Sequence, residues 1–261
     1  MVFSSITFLL YFLPIVFLVY YILAFSRPLQ NIWLVIASLL FYAWGEPIYV
    51  FLMLASITCN WLFGMMLLWI RKDKVKARRL VLIIACVLNL GMLGIFKYSG
   101  FVVETVNGIM ERPFLPYPNI VLPIGISFFT FQALSYVIDV YMGNAEPQKN
   151  LLDIALYVAF FPQLIAGPIV KYSAIAEQIK TRRTDLTMLT EGICRFCEGF
   201  CKKILIANNL AVIADTVFNL TKGGDSTIPV PMLLAWLGAV SYMFQLYYDF
   251  SAYSDMAIGL G

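Results

Sequence analysis

Charged residues are scarce in this sequence of 261 residues: they make up 13% of it, whereas 61% is hydrophobic. A soluble domain carries about 25% charged residues, because its surface must be covered with side chains that water solvates well. The few charges present are also clustered, which leaves long uncharged stretches. This distribution excludes an ordinary soluble globular domain and predicts an integral membrane protein in contact with the lipid bilayer.

Histidine is absent, and cysteine occurs only five times. Histidine is the commonest metal ligand and acid–base catalyst, so an enzymatic interpretation has to account for its absence. An odd, scattered set of thiols does not indicate a disulfide framework. Cys194 and Cys197 form one CxxC pair, but a structural zinc needs four ligands. We therefore predict no metal site and expect these thiols to pack as small apolar side chains, with acylation as the alternative.

Other functional signatures are also missing. The net charge of +3 provides no concentrated basic surface, so nucleic acid is not a predicted partner. Glycine-rich phosphate loops and the G-x-S-x-G nucleophile motif do not occur.

Long uncharged runs mark the segments that can cross a bilayer, which takes about 20 mostly apolar residues. The 11-residue run 204–214 is too short unless its flanks help. The first run lacks a basic start and a small-residue cleavage site, which indicates a retained span rather than a signal peptide. The predicted spans lie in the runs 1–26, 28–45, 47–70, 80–96, 113–138 and 226–248.

The loop 71–79 contains six basic residues. Because short basic loops stay in the cytoplasm, this loop is predicted to be cytoplasmic and the N-terminus extracytoplasmic. It follows that 97–120 is an outer loop and that 121–141 crosses back.

The run 154–170 is short and contains the helix-breaking residues Pro162, Gly167 and Pro168. If it crossed fully, the basic stretch 171–183 would face outward, against the charge rule. We predict a re-entrant hairpin hinged at these three residues, and a kinked ordinary span is the alternative.

Residues 191–203 have the pattern of an amphipathic helix on the cytoplasmic surface. Glu191, Arg195, Glu198 and Lys202 recur at helical spacing on one face. Glu191–Arg195 and Glu198–Lys202 are acid-first i,i+4 pairs, the favourable order for salt bridges along a helix.

Placing a polar side chain at membrane depth costs free energy, so each such residue needs a structural or functional explanation. Two stretches, around 132–139 and 241–255, place several such residues at helical spacing. A polar cavity or tunnel wall would account for them, and hydrogen bonds between helices, worth under about 1 kcal/mol each, are the alternative. The candidates for lining a tunnel are Gln132, Asp139, Gln245, Asp249, Ser251, Tyr253 and Asp255.

Three strings are distinctive: LPIGISFFTFQ at 122–132, FPQLIAGPI at 161–169 and YDFSAYSDMAIG at 248–259. In this order they closely resemble the membrane-bound O-acyltransferase (MBOAT) family in its bacterial alginate O-acetylation branch. FYAW at 41–44 and KKILIA at 202–207 resemble it too, so the likeness runs along the whole chain.

The resemblance implies an all-α polytopic membrane protein whose helices surround a thin central layer, with a re-entrant segment, an interfacial amphipathic helix and a tunnel. Gln163, Asp249 and Asp255 carry over as tunnel-lining positions. The implied function is O-acetylation of an alginate-like or other exported cell-surface polysaccharide. The implied donor substrate is acetyl-CoA, with no bound cofactor and with an extracytoplasmic acyltransferase as partner. The implied location is the bacterial inner membrane.

In the family, a histidine beyond the third string is held to act as general base. The 261 residues contain no histidine, so no catalytic residue carries over, and the resemblance implies that the histidine lies beyond Gly261. We therefore expect 1–261 to be a single transmembrane domain, the N-terminal part of a longer protein, and to be inactive alone.

Three alternatives stay open from the sequence. One is transfer of D-alanine to teichoic acid by the sister branch, with a charged carrier protein as donor. Another is a transporter that uses Asp139, Asp249 and Asp255 as a proton relay, although no paired broken helices are evident. The third is a non-catalytic membrane scaffold.

Overall fold

The computed structural model describes residues 3–110, 114–118, 120–164, 167, 170–182, 185–222 and 231–261. Every regular element in these ranges is a helix, which confirms the predicted all-α class. The predicted hinge residue Pro168 and the first residues of the predicted span 226–248 lie outside the described residues. The chain forms two compact units, one built from the described residues between 15 and 182 except Gly167, and one from 3–14, Gly167 and the described residues from 185 onward. The single domain predicted over 1–261 stays a prediction.

The helices that lie wholly or mostly in the first unit follow one another closely along the chain. The first of them begins with a π-helical turn, Phe8–Phe12, and ends with a 3₁₀ turn, Leu23–Phe25. In order they are α1 (Leu13–Ile22), α2 (Arg27–Gly45), α3 (Tyr49–Trp69), α4 (Val75–Met110), α5 (Ile126–Met142), α6 (Leu151–Ala159), α7 (Phe161–Leu164), α8 (Tyr172–Ile175) and α9 (Gln178–Thr181).

The second unit contains two long helical segments. α10 (Leu186–Cys201) continues without a break through a π-helical stretch, Lys202–Ala207, into α11 (Asn208–Lys222). α12 (Met232–Leu260) is 29 residues long. The prediction that the surface helix ends at residue 203 is therefore wrong. The helix continues through 204–214, so the residues on either side of this 11-residue uncharged run do extend it into a long helix.

Five of the described helices are long and apolar enough to cross a membrane: Phe8–Phe25, α2, α3, α4 and Leu186–Leu220. The first four confirm helices at the predicted spans 1–26, 28–45, 47–70 and 80–96. α5, at 17 residues, is shorter. α12 covers residues 232–248 of the predicted span 226–248. It is not among the five helices, since its C-terminal half is rich in polar and aromatic residues, which lower its hydropathy.

α4 is much longer than its uncharged run. It begins inside the basic loop 71–79 and has 36 residues, which correspond to about 54 Å at 1.5 Å per residue. The hydrocarbon core of a bilayer is only about 30 Å thick. The prediction that 97–120 is all loop is therefore wrong for 97–110, because Lys97 and Glu104 end an uncharged run without ending a helix.

α5 is the centre of the first unit and packs against α3, α4, α6 and α8. It is bounded by Gly125 and Gly143, whose φ angles of 76° and 82° let the backbone turn sharply at both ends. Ten of its 17 residues are buried. Its Tyr136 lies against Gly64 of α3 so closely that a Cβ there would overlap the Tyr136 hydroxyl.

The second unit is held together by close approach of α10 and α12 at glycines. A Cβ on Gly192 would lie 2.6 Å from the backbone oxygen of Gly259, and a Cβ on Gly199 would lie 2.6 Å from that of Ala252. Small residues of this kind let the backbones of two helices come close enough for extensive van der Waals contact.

We predict that Gly199→Ala lowers the free energy of unfolding by about 1–3 kcal/mol, the usual cost of overpacking. The atoms in the way belong to the backbone of α12 and to Met256, so the two helices must separate. Thermal unfolding of the purified protein in detergent measures the effect.

The matched control is Gly91→Ala in α4, where no atom lies within 4 Å of the new Cβ. Because alanine favours a helix over glycine by about 1 kcal/mol, this variant should be as stable as the parent or more so. Equal destabilisation by both substitutions would contradict the close contact at Gly199.

Candidate functional site

α5 carries buried polar side chains on more than one side. Thr130, Gln132 and Asp139 are only 0%, 2% and 5% exposed. Gln132 and Asp139 are seven residues apart, which places them on the same side of a helix. This agrees with the predicted shared face, and the packing of α5 between its neighbours buries that face.

Gln132 and Gln163, both predicted to line a tunnel, are brought together across the first unit. The Gln132 Nε2 donates a hydrogen bond to the Gln163 Oε1 at 2.8 Å. The Gln132 Oε1 and the Thr130 hydroxyl oxygen are buried, and the described residues provide no hydrogen-bond partner for either. Since buried polar atoms nearly always have a partner, the Gln132 Oε1 beside Gln163 is a position where a polar group of a ligand could bind. Thr130 lies two residues away on α5, and residues at that spacing do not face each other on a helix.

Gln163 owes its position to a break between α6 and α7. Phe160 leaves the helical conformation, and Pro162 lies in the first turn of α7, where the missing N–H of proline costs nothing. The backbone N–H of Phe161 donates to the hydroxyl of Ser38 at 3.1 Å. The predicted hinge at Pro162 therefore coincides with the start of a new helix, while re-entry into the membrane stays a prediction.

Asp139 has an anchoring contact. Its Oδ2 accepts a hydrogen bond at 3.0 Å from the backbone N–H of Ser173, in the first turn of α8. A carboxylate is well suited to this position because helix N-termini carry unpaired N–H groups and a partial positive charge. The contact ties α8 to α5, and a role for Asp139 in a tunnel stays a prediction.

Three buried tyrosines that the sequence analysis missed lie in the same unit. Tyr172 makes edge-on ring contacts with Tyr136 and Tyr157, with centroids 4.8 and 5.1 Å apart. The Tyr157 hydroxyl donates to the Val170 carbonyl at 2.7 Å. Burial raises the pKa of Tyr172, so its hydroxyl is neutral at physiological pH. The tyrosines come from three helices, and no spacing along the chain could have shown that they meet.

In the second unit the two late aspartates of α12 form salt bridges. The Asp255 carboxylate lies 2.6 Å from the Lys202 Nζ and 3.3 Å from the Arg195 Nε. The Asp249 Oδ1 lies 2.6 Å from the Lys203 Nζ. We call these five residues the charged cluster.

The charged cluster corrects the predicted salt bridges along 191–203. Arg195 and Lys202 pair with Asp255 of α12, and among the described residues no salt bridge joins Glu191 to Arg195 or Glu198 to Lys202. The contact between helices prevails because α10 and α12 approach so closely at their glycines. The π-helical stretch that begins at Lys202 widens the helix where the two lysines leave it, a feature that is frequent at functional sites.

The remaining candidates on α12 lie two to four residues from Asp249 along the helix. The Gln245 Oε1 is buried and has no hydrogen-bond partner within the described part of the chain. Tyr253 stacks on Phe3 at 4.6 Å between ring centroids, and Ser251 is half-buried. Whether these residues line a tunnel stays a prediction.

The end of α12 lies closest along the chain to the expected general base. Gly261 follows α12 directly, and its backbone N–H donates to the carbonyl of Ala257 at 3.2 Å, which closes the last helical turn. Because the 261 residues contain no histidine, nothing in the structure tests the histidine expected beyond Gly261. Its presence there, and the lack of a catalytic residue within 1–261, stay predictions.

Cys194, Cys197 and Cys201 are all exposed. The expectation that the CxxC thiols pack inside the protein is therefore wrong: α10 turns its glycines toward α12 and leaves this side uncovered.

The fold and the apolar helices place the chain in the class of multi-pass α-helical membrane proteins, and it carries buried polar groups. The model of the family "MBOAT, membrane-bound O-acyltransferase family" matches residues 148–261. Over 100% of its length the chain is 43% identical to "Probable alginate O-acetylase AlgI" of Pseudomonas aeruginosa, of which it covers 49%. The chain is therefore similar to the membrane-bound O-acyltransferase family, by the family model over 148–261 and by its relatives along its entire length.

Two further relatives act on other polymers, according to their names. The chain is 36% identical to "Peptidoglycan O-acetyltransferase" of Helicobacter pylori, with 100% of the chain and 54% of the relative covered. It is 25% identical to "Teichoic acid D-alanyltransferase" of Bacillus subtilis, with 63% of the chain and 44% of the relative covered. The chain spans about half the length of the curated relatives it matches.

We predict that the Lys202–Asp255 pair is energetically coupled. Asp255 is only 16% exposed and has two cationic partners, so a double-mutant cycle with Lys202→Met and Asp255→Asn should give a coupling of about 1 kcal/mol, the upper end for partly exposed pairs. Thermal unfolding in detergent provides the four values.

The pair Arg71–Asp73, at 3.3 Å, is the control, because its side chains are 80% and 63% exposed. Arg71→Gln and Asp73→Asn should show coupling near zero. Equal coupling in the two cycles would contradict a stabilising role for the charged cluster.

Proposed function

We propose that this chain is part of an enzyme that transfers acetyl groups to hydroxyls of an exported cell-surface polysaccharide of the alginate kind. The observation that carries the proposal is the identity of 41–43% to relatives named as alginate O-acetylases, along the entire chain. Relatives that share this much sequence over so long a stretch usually share their chemistry, and the buried polar groups are compatible with it.

Acetyl transfer from a thioester to a hydroxyl replaces a carbon–sulfur bond with a carbon–oxygen bond. The acceptor hydroxyl oxygen bonds to the acyl carbonyl carbon, the carbon–sulfur bond breaks, and the thiol leaves with the proton that a base removed. A dry site favours this reaction because it strengthens electrostatic stabilisation and keeps water from the thioester. The proposed donor is acetyl-CoA, which would be consumed as a substrate.

The buried acceptors on α5 are our candidates for contact with the acyl group or its carrier. Gln132 is held in place by Gln163, while its Oε1 and the Thr130 hydroxyl face no partner in the described chain. The 261 residues contain no histidine. The proposal therefore places the general base in a histidine beyond Gly261, with 1–261 inactive alone.

The proposed location is the bacterial inner membrane, with the N-terminus outside and 71–79 in the cytoplasm. Contacts within the first unit support a hairpin at 154–170. Arg78 donates to the carbonyl of Tyr141 at the end of α5, and Asp139 near the same end holds Ser173. These two contacts support a chain that returns after α7 to the side on which it left α5, with the basic stretch 171–182 on the same side as the basic loop.

The acetylated polymer would be reached through an extracytoplasmic acyltransferase partner, as the family resemblance implies. Peptidoglycan is the second candidate acceptor, supported by the Helicobacter pylori relative. Transfer of D-alanine has less support, because the relatives with that name match at 25–26% and over only part of the chain.

We predict that the longest reading frame containing this chain, reconstituted in proteoliposomes with its acceptor polymer, releases free coenzyme A from acetyl-CoA and labels the polymer with radioactive acetyl. A D-alanyl carrier protein should not replace acetyl-CoA. The polypeptide 1–261 alone is the matched control and should be inactive. Activity of this control, use of the D-alanyl carrier, or proton uptake coupled to substrate without acyl transfer would each contradict the proposal.

We also predict that the double variant Gln132→Leu with Gln163→Leu lowers acetyl transfer about tenfold, equivalent to one lost hydrogen bond of about 1.4 kcal/mol. Its abundance in the membrane should stay close to that of the parent, because replacing both partners of a buried pair with apolar groups is nearly neutral for stability. Transfer rate per amount of folded protein is the measurement.

The control is Asn60→Leu with Asn89→Leu. These two buried amides donate to each other at 3.0 and 2.9 Å and also to backbone carbonyls of their own helices, so each amide oxygen already has a partner, unlike the Gln132 Oε1. This variant should keep the parental transfer rate per folded molecule. A comparable loss in both double variants would mean that Gln132 and Gln163 only hold helices together.

A further inference from the structure

A cavity of about 440 Å³ opens where the C-terminal ends of α3 and α5 meet the start of α4. Its wall includes the last turn of α3, the loop 143–147 after α5, and three basic side chains, Arg71, Lys72 and Arg78. Glu146 is the one acidic residue in this lining. The cavity lies entirely within the first unit, and the predicted acyl transfer does not use it.

Arg78 fixes the geometry of the cavity. Its guanidinium donates to the carbonyl of Leu67 at 2.8 Å and to that of Tyr141 at 3.4 Å. These carbonyls lie at the C-terminal ends of α3 and α5, where helices carry unpaired acceptors and partial negative charge. Arg78 thus joins two walls of the cavity and satisfies their acceptors.

Arg71 and Lys72 contribute charge that is still available to a ligand. Arg71 contacts Asp73 at 3.3 Å, but their side chains are 80% and 63% exposed, and pairs in water gain little from such contact. Lys72 is exposed at the mouth. With Glu146 in the wall and Asp73 beside Arg71, three basic residues stand against two acidic ones, and the remaining net charge of +1 favours an anion.

The surroundings of the mouth are apolar. Leu68 lines it and is 42% exposed, while Trp69 and Met142, next in the chain to lining residues, are 74% and 67% exposed. All three lie at the ends of apolar helices, where tryptophan marks the boundary between lipid and water. A ligand here would have an anionic group beside the bases and an apolar part beside these side chains.

We propose that this cavity binds the phosphate headgroup of an anionic phospholipid, whose acyl chains lie along the exposed ends of α3 and α5. Basic pockets between membrane helices on the cytoplasmic side are a known way to hold such headgroups. The site is independent of acyl transfer, so it stands or falls separately from the proposed function.

The test is native mass spectrometry of the detergent-purified chain with added phosphatidylglycerol or phosphatidylcholine. We expect preferential binding of phosphatidylglycerol, reduced about tenfold or more by Arg71→Gln with Lys72→Gln, since each basic residue near an anionic lipid contributes about fivefold in affinity. Both residues lie outside helices and are exposed, so the variant should fold.

The control is Lys97→Gln, which also removes an exposed basic charge but lies 19 residues beyond Arg78 on α4, about 28 Å along the helix axis. It should keep the preference for phosphatidylglycerol. Equal loss in both variants, equal binding of phosphatidylcholine, or displacement of the lipid by inorganic phosphate or adenosine 3′,5′-bisphosphate would overturn the proposal, the last by indicating a soluble phosphate ligand.

Discussion

A polar side chain among apolar helices must find its partner within the protein, because hydrocarbon offers none. Much of the first unit follows from this constraint. Asn60 and Asn89 join α3 to α4 by two reciprocal hydrogen bonds, and Arg182 reaches both Tyr20 and Asn31. Each pair connects segments far apart in the chain. The Gln132 Oε1 is one of the few buried polar atoms without a partner among the described residues, which makes it a candidate for ligand contact.

The second unit depends on the same constraint together with close packing. α10 and α12 come close because glycines face each other, and this approach brings Arg195, Lys202 and Lys203 within reach of the aspartates of α12. Without the glycines, the lysines would have only the glutamates of their own helix as neighbours. The charged cluster is therefore a consequence of helix packing as much as of charge.

The basic loop 71–79 has two physical roles. Its charges set the predicted orientation of the chain, and Arg78 also caps two helices at their C-terminal ends. The cavity lies beside Arg78, where this one guanidinium bridges the two helix ends. A residue read from the sequence only as a topology signal thus has a local structural function as well.

The sequence by itself determined the membrane class, the first four apolar helices, the family resemblance and the polar residues Gln132, Gln163, Asp249 and Asp255 as candidates, because hydropathy and short strings are local properties. It misplaced the ends of α4 and of the helix from 186, since a charge ends an uncharged run but not a run of backbone hydrogen bonds. Only the tertiary structure decided that Gln132 meets Gln163, that Asp255 meets Lys202, and that three tyrosines gather around α8. Those contacts depend on which helix faces pack together, and no spacing along one chain records the distance between two helices.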